Sequence, residues 1–297
     1  MIIGTRSSKL ALWQANLVLR KLQKLDIKAS IKKIESEGDR HPNTPLSQLG
    51  TTGIFTSALD TAVRSGNVDI AVHSMKDYPT HIPEEITIAA IMKREQSQDV
   101  IVLNPNKKIK SVSEINTLAT GSIRRRAQWL SKYPEAQIFE LRGNVPTRIQ
   151  KLKESNWDAI ILAFAGIKRL NLTNELELMD TDWMIPAPAQ GTIIVTCRSE
   201  DLKTIKILKN IEDEHSRLIS SIERKFLNAL EGGCSMPIGA LATLHKETLR
   251  FQAGLYTQDG AQSYVIDKTC NLKNVHQNLN EWIKEFKSSN VHKILKT

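Results

Sequence analysis

The run Val72-His73-Ser74-Met75-Lys76-Asp77 sets an ammonium beside a carboxylate directly after a stretch of apolar residues. At the open end of a buried strand, Lys76 could bind an anion while helping to keep Asp77 ionised. A surface ion pair on a turn is the competing reading. His73 has no second ligand at metal spacing and reads as a packed or hydrogen-bonded histidine. Gly4-Thr5-Arg6-Ser7-Ser8 follows another short apolar run, so N–H groups, hydroxyls and a guanidinium could converge on a carboxylate or phosphate. Helix capping by Ser7 or Ser8 would account for the same residues. Thr120-Gly121-Ser122-Ile123-Arg124-Arg125-Arg126 repeats that pattern, and Arg142-Gly143-Asn144 with Arg148 follows it. The planar fork of arginine suits carboxylates, and several at neighbouring strand ends would form a cradle for a polyanion. Cys234 follows Gly232-Gly233 in a loop, where a thiol can act as a nucleophile, whereas most lone cysteines are inert. There is no Gly-x-Ser-x-Gly, no Walker loop and no metal-ligand constellation.

The elements that must position these residues alternate between strand and helix. Ile2–Gly4, a helix over 10–25 and a β-prone stretch at Ser30–Ile34 give the βαβ rhythm of a parallel sheet. A helix over 54–65 ended by Gly66, and the buried-type strand Val68–Ser74, continue it until Pro79 and Pro83. After the strand Val100–Leu103, Asn104-Pro105-Asn106 reads as a crossover. The alternation then restarts with Leu118–Thr120, a helix over 124–133, Gln137–Leu141, a helix over 146–153 and Ala159–Ala163. Thr192–Cys197 reads as a strand returning to the first sheet. Ligands of such sheets sit beyond the carboxyl ends of the strands, where the polar clusters fall. A long helix over 213–231 ends at Gly232-Gly233, and the remainder reads as a small α+β region with a hairpin turn at Asp259-Gly260 and a helix over 275–286. No internal sequence repeat or low-complexity segment is apparent.

Composition bounds the class. The 297 residues, 40% of them hydrophobic, suffice for two or three folded domains. The start lacks an export signal and no apolar stretch is long enough to span a bilayer, so a cytoplasmic protein without membrane attachment is expected. Cys197, Cys234 and Cys270 have no paired spacing and are expected to be free thiols. The net charge of +9 suggests an anionic partner. With 5% aromatic residues and dispersed Lys and Arg, nucleic acid is disfavoured.

Together GTRSSKLALWQA, VDIAVHSMKDYPT, ATGSIRRR, LRGNVPTR, DAIILAFAGIKRL, IPAPAQG and LEGGCSMPIGA resemble the porphobilinogen deaminase family in order and spacing, from about Gly4 to Ala242. The resemblance implies an α/β fold of two lobes like type II periplasmic binding proteins and a small α+β C-terminal domain. The expected domains are 1–95 with 190–210, then 98–187, then 213–297. It implies a monomeric transferase that joins four molecules of porphobilinogen head to tail on a dipyrromethane cofactor held by a thioether to Cys234, releasing hydroxymethylbilane. Asp77 would be catalytic and bind the cofactor, with Lys76, Ser122, Arg124 and Arg125 holding its carboxylates. Arg6, Ser8, Arg142, Arg148, Arg169 and Gln190 would bind substrate. The basic clusters then have a purpose, since each pyrrole unit carries an acetate and a propionate.

Some positions depart from the family pattern. Gly50-Thr51-Thr52-Gly53-Ile54-Phe55 lacks a lysine and Gln48 replaces a basic residue, which alters the charge of the loop His41–Thr51. Ala189 stands where a glycine precedes Gln190-Gly191, stiffening a hinge. A non-catalytic two-lobed binding protein for an anionic small molecule would share the rhythm, but it would normally be exported and needs no reactive cysteine.

Overall fold

A computed structural model describes residues 1–35, 56–174, 176–180, 182–230 and 236–290. The chain divides into two units, Met1–Gln96 with Gly191–Leu218 and Ser97–Gln190 with Ile219–Thr297.

In the first unit β1 (Ile2–Thr5) leads into α1 (Lys9–Gln23) and β2 (Ser30–Lys33). Ala15, Val18 and Leu22, three and four residues apart, are the face that α1 buries. Next come α2 (Ser57–Arg64), β3 (Ile70–Ser74), β4 (Ile86–Ile91) and, much later in the chain, β10 (Ile193–Arg198). The sheet order is β2-β1-β3-β10-β4. β1 is parallel to β2 and β3, whereas β10 runs antiparallel to both β3 and β4. The sheet is therefore mixed rather than parallel. An apolar run reports burial but not direction, which is why sequence rhythm misses the opposed strand.

The second unit repeats this plan without a repeat in sequence. Its strands are β5 (Asp99–Leu103), β6 (Thr117–Ala119), β7 (Gln137–Phe139), β8 (Ala159–Ala163) and β9 (Leu178–Asp180), in the order β7-β6-β8-β5-β9. β6 is parallel to β7 and β8, and β5 is antiparallel to β8 and β9. Helices α3 (Ile123–Lys132), α4 (Val145–Glu154) and α5 (Phe164–Arg169) connect them. Alternate residues of the central strands fill opposite faces: Val100, Val102, Ile160 and Leu162 pack with Ile149 and Leu152, while Ile101, Leu103 and Ile161 pack with Trp129. Asn104-Pro105-Asn106 is a turn inside this unit, not a crossover. Asn104 donates to the carbonyls of Leu152, Ser155 and Trp157, and the unit boundary lies earlier, at Gln96 and Ser97.

Beyond α6 (Leu202–Lys209), helix α7 (Glu214–Ala229) carries Ile222 and Phe226 inward, and the unit boundary falls within it. Strands β11 (Ile238–His245), β12 (Thr248–Tyr256) and β13 (Ser263–Asn271) form an antiparallel meander followed by α8 (Val275–Ser288). Edge-to-face pairs of Phe226 with Phe251 and Phe286, and a stack of Phe251 on Trp282, bind α7 and α8 to this sheet. The C-terminal portion is thus α+β, as the sequence suggests. The hairpin at Asp259-Gly260 is present, with Gly260 at φ +74°.

Candidate active site

In the first unit, β3 is buried and ends at Ser74, whose hydroxyl accepts from Gln14 Nε2 at 2.8 Å. Met75–Asp77 form one 3-10 turn. The Met75 N–H donates to Thr192 O at 2.9 Å, and the Tyr78 N–H closes the turn onto Met75 O at 3.2 Å. Residues three apart eclipse in such a turn. Met75 and Tyr78, 3% and 2% exposed, therefore both point inward, while Asp77 is exposed and Lys76 half-buried. Among the described residues no ion pair or hydrogen bond engages the Asp77 carboxylate. The surface ion-pair reading of Lys76 and Asp77 is not what the structure holds.

Arg6 and Ser8, both half-buried, follow β1. Ser8 caps α1, accepting from the Ala11 N–H at 3.2 Å. Acceptance uses a lone pair, so the hydroxyl proton remains able to donate to an anion. His73 is the packed histidine expected: Nε2 lies 3.3 Å from Thr196 Oγ1 and the ring packs on Tyr78 at 4.8 Å. Burial, then the nearby Arg6 charge, pushes its pKa down to about 3.

In the second unit, a Cβ on Gly121 would fall 2.5 Å from Leu141 O, so only glycine lets the end of β6 approach the segment after β7 this closely. Ser122 there caps α3, with Oγ 3.5 Å from the Arg125 N–H. The first turn of α3 carries Arg124 and Arg125 inward, each 5% exposed, and leaves Arg126 exposed. Both inward arginines meet Asp99, the first residue of β5. Arg124 Nη2 lies 2.7 Å from Asp99 Oδ2, and Arg125 donates to Oδ1 from Nε at 3.0 Å and Nη2 at 2.7 Å. Their remaining reach is fixed by Ile185 O for Arg124 and Ile161 O for Arg125. Gln190 Nε2 adds hydrogen bonds to Asp99 Oδ1 at 2.9 Å and Ser97 O at 2.7 Å. Burial lowers the Arg124 pKa, an effect the Asp99 charge opposes. Among the described residues, two cations against one anion leave this cluster one positive charge in surplus, which suits an incoming carboxylate.

Arg142 and Arg148, both half-buried, follow β7. Asn144 caps α4 by accepting from the Thr147 N–H at 3.0 Å, and Arg148 Nε donates to Gly143 O at 2.7 Å. Arg169 is buried at the end of α5, after β8. The clusters thus follow corresponding strands: β1 and β6, then β3 and β8. The structure brings Arg124, Arg125 and Gln190 together on one carboxylate that sequence reasoning misses. The available signal was Asp99 itself, a charge opening the apolar strand Asp-Val-Ile-Val-Leu, which must be paired when buried.

Cys197 lies buried in β10, where burial first and then the Asp201 charge push its thiol up to about 11. Burial also raises the half-buried Cys270. Cys234, the Gly232-Gly233 break, Gln48 and the loop His41–Thr51 lie outside the described residues. Among the described residues, no helix is long and apolar enough to cross a membrane, and no cluster of potential metal ligands occurs. Ala189, fully buried, holds φ +61°, a left-handed conformation more readily adopted by glycine.

Two family models cover most of the chain. Residues 1–206 match porphobilinogen deaminase, dipyromethane cofactor binding domain, and residues 218–281 match porphobilinogen deaminase, C-terminal domain. The porphobilinogen deaminase of Shouchella clausii is 38% identical over 92% of this chain and 89% of its own length. That of Pelotomaculum thermopropionicum is 41% identical over 88% and 84% respectively. Among solved structures, the second substrate binding domain of a putative amino acid ABC transporter from Streptococcus pneumoniae superposes with a TM-score of 0.44 at 13% identity, over 77% of this chain and 93% of that one, too low to bear on function.

Proposed function

The chain belongs to the porphobilinogen deaminase family, and from that premise we propose how its own residues divide the work of deaminating porphobilinogen and joining four units head to tail into hydroxymethylbilane. The cofactor of this family, dipyrromethane, fits the second unit: two buried guanidiniums exceed the Asp99 charge by one, and Ser122 keeps a hydroxyl proton while capping α3. Lys76, Asp77, Ser122, Arg124 and Arg125 would hold it, with a thioether to Cys234. When bound, it supplies the pyrrole carbon to which each new ring is joined.

Arg6, Ser8, Arg142, Arg148 and Arg169 take the carboxylates of the incoming substrate and the growing chain. Gln190 differs, because its amide donates to both Ser97 O and Asp99. We assign it to holding Asp99 rather than to substrate. Asp77 accepts from pyrrole N–H groups and stabilises the positive charge that develops on them as ammonia departs, so it favours the transition state over the ground state. One observation carries this role: a hydrogen-bonded turn at a buried strand end presents an exposed carboxylate with no partner among the described residues.

The attachment is tested by intact mass. Protein purified from a cell that makes porphobilinogen carries an adduct of two linked pyrrole units. Cys234→Ser lacks it, whereas Cys197→Ser and Cys270→Ser, at thiols raised by burial, retain it. An unmodified wild-type mass overturns the attachment.

A further inference from the structure

Behind the turn that presents Asp77 lies a buried carboxylate to which the roles above assign nothing. Asp60, 6% exposed on α2, sits where the helix packs Leu59, Ala62 and Val63 against Val68 and Ala71. It accepts from Tyr78 Oη at 3.1 Å. His73 completes the group: its ring packs on Tyr78, and its Nε2 lies 3.9 Å from Asp60 Oδ1 and 3.3 Å from Thr196 Oγ1. Tyr78 is the residue immediately after Asp77, and its N–H closes the turn. The tyrosine ring and the carboxylate next to it thus hang from the same short turn.

A single 3-10 turn is weakly held by its own hydrogen bonds. A group that must meet developing charge has to be fixed to a fraction of an ångström, and a misplacement of about 1 Å can cost about 100-fold in rate. We propose that Asp60 and Tyr78 are positioning residues, a buried carboxylate-to-phenol tether that fixes the direction in which Asp77 points. The proposal rests on the assignment of Asp77 above. It differs from a general stabilising role in one respect: the tether acts on rate only through the Asp77 charge.

The experiment measures kcat and KM per cofactor-loaded molecule for Tyr78→Phe, Asp60→Asn, Asp60→Ala, Asp77→Asn and the double variant Tyr78→Phe/Asp77→Asn. Tyr78→Phe removes only the hydroxyl and is expected to lower kcat about tenfold, with KM within about twofold of wild type. Asp60→Ala should match it. Asp60→Asn, which keeps an oxygen to accept from Tyr78 Oη, should recover most of that loss. In the double variant kcat should equal that of Asp77→Asn alone, because no charge remains to be aimed. Multiplicative losses in the double variant, or Tyr78→Phe and Asp60→Ala at wild-type kcat beside a crippled Asp77→Asn, overturn the tether alone. A near-wild-type Asp77→Asn overturns the assignment of Asp77 and the tether with it.

Discussion

Asp77 and Asp99 sit beside buried strands of two sheets built to the same plan, yet their surroundings are opposite. Asp99 is fully enclosed and meets two arginines and a glutamine. Asp77 is exposed, lacks a partner among the described residues, and rides on a turn whose flanking side chains are buried. A buried charge already held by two arginines and a glutamine before any ligand arrives is part of the scaffold, whereas a charge left open on a turn can respond to what forms beside it. Asp99 should thus matter to folding and Asp77 to rate.

The largest effect that can break this contrast belongs to Asp99→Asn. Two buried guanidiniums would lose their shared anion, and removing one partner from a buried ionic group costs about 3–5 kcal/mol of stability. Denaturant unfolding followed by circular dichroism measures it. A loss below about 1 kcal/mol would show that the cluster is not scaffold.

Asp77→Asn inverts the pattern. Its stability should stay within about 0.5 kcal/mol of wild type, since an exposed polar residue at a strand's open end adds little to the core. Its kcat should fall by at least about 100- to 1000-fold, about 2.7–4 kcal/mol. Asp77→Glu keeps the charge a methylene away and should lie between the two. A folded, cofactor-loaded Asn variant within about threefold of wild-type turnover is incompatible with the mechanism.

The contrast also separates what the sequence discloses from what it hides. Strand ends followed by glycine, hydroxyl and arginine were legible, because apolar runs mark buried strands and the polar residues after them stand out. The turn at Met75–Asp77 was legible for the same reason, though not its inward Tyr78. Asp99 escaped because a pairing between residues 99, 124, 125 and 190 is a tertiary fact with no local spacing to announce it. β4 escapes because Pro79 and Pro83 look like the end of regular structure, whereas the strand begins just beyond them at Ile86. The opposed direction of β5 and β10 was equally hidden, since burial patterns carry no sense of direction.

A smaller effect separates arginines that share Asp99 from one that does not. Arg124→Leu or Arg125→Leu should impair cofactor assembly and destabilise the fold together. Arg148→Leu, which loses a bond to Gly143 O at the surface of α4, should keep the adduct and slow elongation by about 1.5–3 kcal/mol. Wild-type turnover of Arg148→Leu, with no accumulated intermediates, would refute that division.

The smallest effect sharpens the comparison with a third carboxylate, Asp60, which is buried without a guanidinium at contact distance among the described residues. Burial pushes its pKa up to about 6 from 3.8, only partly offset by the Tyr78 hydrogen bond and the Arg64 charge. The folded state therefore holds this proton more tightly than the unfolded chain. Its contribution is fully present below the unfolded value and is lost as pH rises through the folded one. Asp60→Asn removes that dependence, so the stability of wild type relative to the variant should decline between about pH 4 and pH 6.5 and level off above, by on the order of 1–2 kcal/mol once the roughly 3 kcal/mol of the full shift is reduced for solvent screening. His73 does not disturb the comparison. Held neutral with a pKa near 3 in the folded state, it titrates in this window only in the unfolded chain, and that term is common to both proteins and cancels. Unfolding free energies of wild type and Asp60→Asn measured across this range decide the matter, and a pH-independent difference would mean that Asp60 is already ionised at the acid end and solvated better than its burial implies.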